Sequence, residues 1–177
     1  MSLPFLRVTQ TVYRAHHPRW AFDPLSGEGA SRHGGRFNRT GLPALYTALR
    51  METAWLEAQQ GFAFKAQPLT LCAYRVDCAH VLDLTSPDIC ARLGINAKDL
   101  ACAWEDLADR GQTPPSWALA DRLMAEGCAA VLVPSFAHRA EAEDRNLVFW
   151  RWGPDLPHQV CVVDDQGRLP KDDRSWS

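Results

Sequence analysis

This chain carries no excess of charge of one sign. Nineteen Lys and Arg face 21 Asp and Glu, a net charge of −2 over 177 residues. That removes the basic footprint of a general nucleic-acid binder, so no direct contact with nucleic acid is expected. No apolar run approaches the roughly 20 residues of a membrane-spanning helix, and no membrane contact is expected. The opening "MSLPFLRVTQ" lacks the basic and apolar regions of an export signal, so a cytoplasmic location is expected. Cysteine occurs at 72, 78, 90, 102, 128 and 161, never as CxxC and never at zinc-ligand spacing with histidine. Most sit in apolar runs such as "LTLCAYRV" and are expected to pack as reduced thiols.

Several catalytic signatures are missing as well. "GEGASRHGGR" fails as a dinucleotide loop, because Arg32 stands where G-x-G-x-x-G needs its third glycine. There is no phosphate loop of the GxxxxGK[ST] kind and no GxSxG elbow. "HRAE" at His138 lacks the P-C-x-x-C of a zinc deaminase. His16 and His17 lie side by side in a loop, where solvated rings are expected rather than metal ligands.

What is present is a hydrophobic content of 46%, enough for a packed core, and a length that suits one domain spanning 1–177. "TQTVYRA" reads as a strand. Residues 16–33 form a long Pro/Gly/Ser-rich loop, a length that usually signals function or disorder. "ALYTA" reads as a strand and "RMETAWLEAQQG" as a helix, with Met51, Ala54, Trp55 and Ala58 on one apolar face and Gly61 as its stop. "LTLCAYRVD" and "HVLDL" read as two strands. Three helices follow: "SPDICARLG", capped by Ser86 and stopped by Gly94; "KDLACAWEDLADRG"; and "SWALADRLMAEG", capped by Ser116 and stopped by Gly127. "CAAVLVPS", "NLVFWRW" and "HQVCVVD" return to strands, "DDQG" is a turn, and a polar tail, 164–177, is expected to be loose. Strands at both ends with a helical insert predict an α+β fold.

The chemistry concentrates in "GGRFNRTGLPALYTA", residues 34–48. Arg36 follows two glycines, which let a backbone come close to a ligand. Arg14 follows Tyr13 on the first strand, and Tyr46 ends a short one. Arginine forks suit phosphate oxygens, and tyrosine offers a flat stacking face. Composition alone leaves two readings open, a nucleotide site with a pyrophosphate clamp or surface ion pairs. The helix adds Glu52 and Glu57, each about 110° from the centre of the apolar face on opposite sides, and periodicity does not choose between them.

The order "YR", "GGRFN..G..ALYTA", "ETAWLEA", "PS", "NLVFW" resembles the RES domain, the toxin half of RES–Xre toxin–antitoxin pairs. The resemblance runs from about residue 12 to 163. It implies a fold similar to mono-ADP-ribosyltransferases, with a split β core and a cleft for NAD+. NAD+ enters as substrate, and no cofactor or metal is implied as catalyst. Members of the family hydrolyse or phosphorolyse NAD+, or transfer ADP-ribose to a protein. The motif residues fall on Arg36, Tyr46, Glu57 and Ser135, with Arg14 matching the early arginine. Glu57 is preferred over Glu52 because the motif glutamate follows the tyrosine by eleven residues. Phe37 stands where the family pattern often has Trp.

The resemblance thus assigns Glu57, Arg36 and Ser135 to catalysis. It assigns Arg14, Tyr13, Gly35, Arg36, Asn38, Tyr46, Ser135 and Asn146 to NAD+ binding. Glu57 would stabilise the positive ribose that develops as nicotinamide leaves. Arg14 and Arg36 would grip the pyrophosphate, Tyr46 would stack on nicotinamide, and Ser135 would position the ribose or nicotinamide end. The charged "HRAEAEDRN" after Ser135 is expected to be a loop beside the cleft, mobile or simply solvated. The implied partner is an Xre-type helix-turn-helix antitoxin that blocks the cleft and carries the DNA binding. A non-catalytic nucleotide-binding module is the alternative from outside the enzymes.

Overall fold

One hydrogen-bonded sheet takes up the strands read from both ends of the sequence. The computed structural model describes residues 2–59 and 67–176. In chain order its elements are β1 (Leu6–His16), α1 (Glu28–His33), β2 (Leu45–Ala48), α2 (Met51–Ala58), β3 (Thr70–Asp83), α3 (Pro87–Leu93), α4 (Ala97–Leu100), α5 (Trp104–Asp109), α6 (Pro115–Ala125), β4 (Ala130–Pro134), β5 (Arg145–Phe149) and β6 (His158–Val162). The fold is α+β. Strands pair in the order β1-β2-β5-β4-β3-β6, and β1 also pairs with β3, so the sheet returns on itself. That return rests on ten residue pairs between β1 and β3 but on a single pair, Tyr13 with Ala48, between β1 and β2.

β4 and β5 are apolar on both faces because each face meets a different core. Side chains alternate along a strand. Val131, Val133, Val148 and Trp150 face a core shared with Leu100, Leu119 and Leu123 of the helices. Ala130, Leu147 and Phe149 face a second core with Val12, Leu45, Tyr74 and Val160. β3 and β4 run parallel, a pairing that needs a long crossover, and the helices α3 to α6 supply it.

Several expectations need correction. "LTLCAYRVD" and "HVLDL" form one strand, β3, with His80 at φ 57° at the junction. The register against β1 shifts there, the mark of a bulge. "KDLACAWEDLADRG" is two short helices, broken between α4 and α5. Pro114, not Ser116, caps α6; Ser116 lies fully buried in its first turn and accepts a hydrogen bond from the Cys102 thiol at 3.3 Å. α3 keeps its expected ends: Ser86 Oγ accepts from the Ile89 N–H, and Gly94 adopts the left-handed conformation. The 16–33 loop is partly ordered as a 3₁₀ turn at Pro18–Trp20 and as α1. The Gly61 stop falls outside the described residues.

α2 keeps Ala54 of its expected apolar face inside but turns Met51 and Trp55 outward. Met51 and Trp55, expected inside, are 48% and 42% exposed, while Thr53 and Ala54 are buried. The Thr53 hydroxyl donates to Asp144 Oδ1 at 2.5 Å, a buried polar bond that turns this face inward. Asp144 in turn anchors "HRAEAEDRN". Its Oδ2 accepts from the Glu141 N–H at 2.8 Å, so the segment is neither wholly mobile nor wholly solvated. These two donors, the Glu141 N–H first, hold the Asp144 carboxyl below the usual carboxylate range. All six cysteines are free thiols. Burial pushes Cys78 and Cys128 up to about 12, so neither is a ready nucleophile.

Candidate active site

A cleft of about 450 Å³ opens where β1, β2 and β5 meet α2 and the 16–33 segment. That falls within the roughly 300–1,000 Å³ of small-molecule sites. Tyr13, Arg14, Gly35, Arg36, Tyr46, Glu57 and Asn146 all line it.

The acidic group of the cleft is built from side chains. Glu57 Oε1 accepts from Ser135 Oγ and from Asn146 Nδ2, both at 2.5 Å. α2 brings Glu57, the end of β4 brings Ser135, and the start of β5 brings Asn146. The Ser135 oxygen also accepts the Ala137 N–H at 3.2 Å, so its own proton is directed at Glu57. Asn146 is 8% exposed, and among the described residues its Oδ1 has no hydrogen-bond partner. Because a carboxylate cannot donate, the Asn146 amide must point its N–H at Glu57 and keep Oδ1 as an acceptor. A buried acceptor without a partner costs roughly 1–3 kcal/mol, which a ligand N–H or O–H would recover.

Two arginines line the same cleft, each anchored on backbone. Arg14 Nη1 donates to the carbonyls of Pro24 and Ser26, both at 3.2 Å. Arg36 Nη1 donates to the carbonyls of Leu100 at 3.2 Å and Cys102 at 2.6 Å. Its guanidinium lies over the Phe136 ring, 4.4 Å from the centroid. Burial pulls Arg36 down from its ordinary pKa, with Cys102 and then Glu57 opposing. An arginine stays charged throughout the physiological range regardless.

The turn that carries Arg36 is tied by tyrosine. Tyr46 Oη donates to Asn38 Oδ1 at 2.7 Å and accepts the Phe37 N–H at 2.9 Å. Burial raises the Tyr46 pKa, keeping the donor proton in place. A Cβ on Gly35 would sit 2.4 Å from that oxygen and 2.6 Å from Asn38 Oδ1. The room that Gly35 provides therefore holds the Tyr46 hydroxyl rather than a ligand. Asn38 also departs from its expected role. It is fully buried, and its amide donates to the carbonyls of Ala30, Arg39 and Leu42, so it holds the turn and does not line the cleft.

Glu52, left open by periodicity, is 69% exposed, faces Arg50 at 3.8 Å and does not line the cleft. His16 is buried, with Nε2 3.7 Å from Cys72 Sγ, rather than solvated. Among the described residues no group of three His, Cys, Asp or Glu stands close enough to hold a metal. Sequence reasoning missed Trp20, Trp104 and Phe136, which also line the cleft. The length of the 16–33 loop was a signal for Trp20. No pattern in the sequence marked the other two.

Residues 11–172 match the family model of the RES domain, and the chain belongs to that family. It is 36% identical over 104 residues to the NAD(+) phosphorylase MbcT of Mycobacterium tuberculosis and to that of Mycobacterium bovis. That match spans 52% of this chain and 53% of each relative, about half the length of either. The fold is similar to a chain in the crystal structure of the M. tuberculosis MbcT–MbcA toxin–antitoxin complex. The TM-score is 0.61 at 24% identity, over 90% of this chain and 84% of that one.

Proposed function

We propose that this protein is the toxin of a toxin–antitoxin pair, and that it consumes NAD+ by breaking the nicotinamide–ribose bond with phosphate as acceptor. The observation that carries the reading is one cleft holding a carboxylate fixed by Ser135 and Asn146 together with two backbone-anchored arginines. The relatives named NAD(+) phosphorylase support the choice of phosphate. We read the closed sheet and its cleft as ADP-ribosyltransferase-like.

The reaction takes the bonding pair of the C–N bond away with nicotinamide, leaving positive charge on the ribose. Glu57 sits to stabilise that charge. A phosphate oxygen then forms the new C–O bond, giving free nicotinamide and a phosphorylated ADP-ribose. Arg14 and Arg36 neutralise the pyrophosphate, which is common to substrate and product. Asn146 Oδ1 accepts from the nicotinamide amide or a ribose hydroxyl. Tyr13 and Tyr46 offer ring surface to the nicotinamide side.

An Xre-type helix-turn-helix antitoxin is the proposed partner, covering the cleft. The similar fold in a toxin–antitoxin complex supports an antitoxin partner. The test is to mix the purified, antitoxin-free protein with NAD+ and follow nicotinamide release with and without phosphate. Release that depends on phosphate is expected. Release that ignores phosphate points to hydrolysis, a labelled protein band in lysate points to ADP-ribose transfer, and no release in any buffer removes the enzymatic reading.

A further inference from the structure

The helical crossover does more than connect β3 to β4: it grips the "GGRFNR" turn, residues 34–39, at several separate atoms. Trp117 on α6 donates its Nε1–H to the Gly35 carbonyl at 2.7 Å. Asp121, one helical turn on, pairs with Arg39. The break between α4 and α5 turns the Leu100 and Cys102 carbonyls onto Arg36 Nη1. Cys102 is itself pinned, its thiol donating to the buried Ser116 of α6. Trp104, at the start of α5, packs against Trp117 with ring centroids 6.3 Å apart and lines the cleft.

We propose that the crossover is a brace that aims Arg36 at the pyrophosphate, with Trp117 and Cys102 as positioning residues. This rests on the reading of the cleft as an NAD+ site. Both hydrogens of Arg36 Nη1 are committed to protein carbonyls. Among the described residues the Nε–Nη2 edge has no hydrogen-bond partner, and that pair grips two phosphate oxygens side by side. A long side chain already anchored at one nitrogen loses less rotamer freedom when the anion arrives, so the brace tightens binding through preorganisation. Trp117 holds the peptide just before Arg36, and Cys102 holds the guanidinium. Neither touches the reacting bond.

The test uses the whole protein and the variants Trp117→Phe, Cys102→Ala and Cys102→Ser. Steady-state nicotinamide release gives kcat and KM for NAD+, and ADP-ribose and nicotinamide serve as inhibitors that report binding with and without the pyrophosphate. For Trp117→Phe and Cys102→Ala, KM and the inhibition constant of ADP-ribose should rise roughly five- to tenfold, the scale of one lost hydrogen bond. The inhibition constant of nicotinamide and kcat should stay within about twofold of wild type, because the Glu57 group is untouched. Cys102→Ser, whose hydroxyl can still donate to Ser116, should restore most of the loss. Trp117→Phe keeps a ring in the same place, so a melting curve like that of wild type is expected from it.

Unchanged ADP-ribose inhibition in both Trp117→Phe and Cys102→Ala would overturn the brace. So would equal weakening of both inhibitors, which means general loosening of the cleft. A wild-type protein that neither binds nor cleaves NAD+ brings down the cleft reading itself, and the brace with it.

Discussion

The acidic and the cationic groups of the cleft are held by different kinds of partner. Glu57, Ser135 and Asn146 hold one another through side chains. Arg14 and Arg36 are held by carbonyls of the main chain. Side-chain partners tie function to residue identity, so each substitution there removes a specific group. Carbonyl partners tie function to the path of the chain. Almost any residue can supply a carbonyl, but only one backbone conformation places it. The acidic group is therefore sensitive to chemistry, and the arginines to shape.

The largest effect that would expose this difference is at Glu57. Glu57→Gln keeps the shape and removes the charge, and kcat for nicotinamide release should fall roughly 10²- to 10³-fold. A variant retaining near-normal kcat would take the carboxylate out of the chemistry. Among the arginines, Arg36→Lys should act mainly on KM, raising it about 10- to 30-fold, because an ammonium cannot serve two carbonyls and two phosphate oxygens together. If kcat falls instead and KM holds, the two groups do not divide the work as described.

Gly35→Ala probes the turn that carries Arg36. Its Cβ meets Tyr46 Oη and Asn38 Oδ1 at 2.4 and 2.6 Å. A loss of about 1–3 kcal/mol in chemical denaturation is expected, as for overpacked sites, and an unchanged midpoint would show that the turn yields without cost. The smallest effect concerns acid. Asp144 has its folded pKa lowered, first by the Glu141 N–H and then by the Thr53 hydroxyl. Its contribution is present above the unfolded value, about 3.9, and is lost as pH falls through the lower folded one. Asp144→Asn should cost roughly 1 kcal/mol at pH 7. Its stability should decline less than that of wild type between about pH 5 and 3; parallel declines would mean that another group dominates.

The strands were the most legible part of the molecule. Alternation in "LTLCAYRVD" and short apolar or β-branched runs elsewhere marked all six described strands, and only the bulge at His80 disguised one as two. The acidic group was legible through a resemblance that paired Tyr46 with Glu57. Periodicity placed Ala54 of α2 inside correctly but misplaced Met51 and Trp55. Those two look like a core face, yet the bonds of Thr53 and Glu57 set the orientation. The anchoring of the arginines left no trace in the sequence, because a main-chain carbonyl belongs to every residue. The break that frees Leu100 and Cys102 was invisible for a related reason. Leu100, Trp104 and Leu107 keep helical spacing straight across it.

That break has a consequence for anyone engineering the protein. The stretch "KDLACAWEDLADRG" invites idealisation: strengthen the helix formers at 101–103 and join α4 to α5. A continuous helix would turn the Leu100 and Cys102 carbonyls toward the N–H groups four residues on. The healed segment would gain hydrogen bonds and melt later. Arg36 would lose both of its carbonyl holds, so the sturdier protein would grip an anion in the cleft less well.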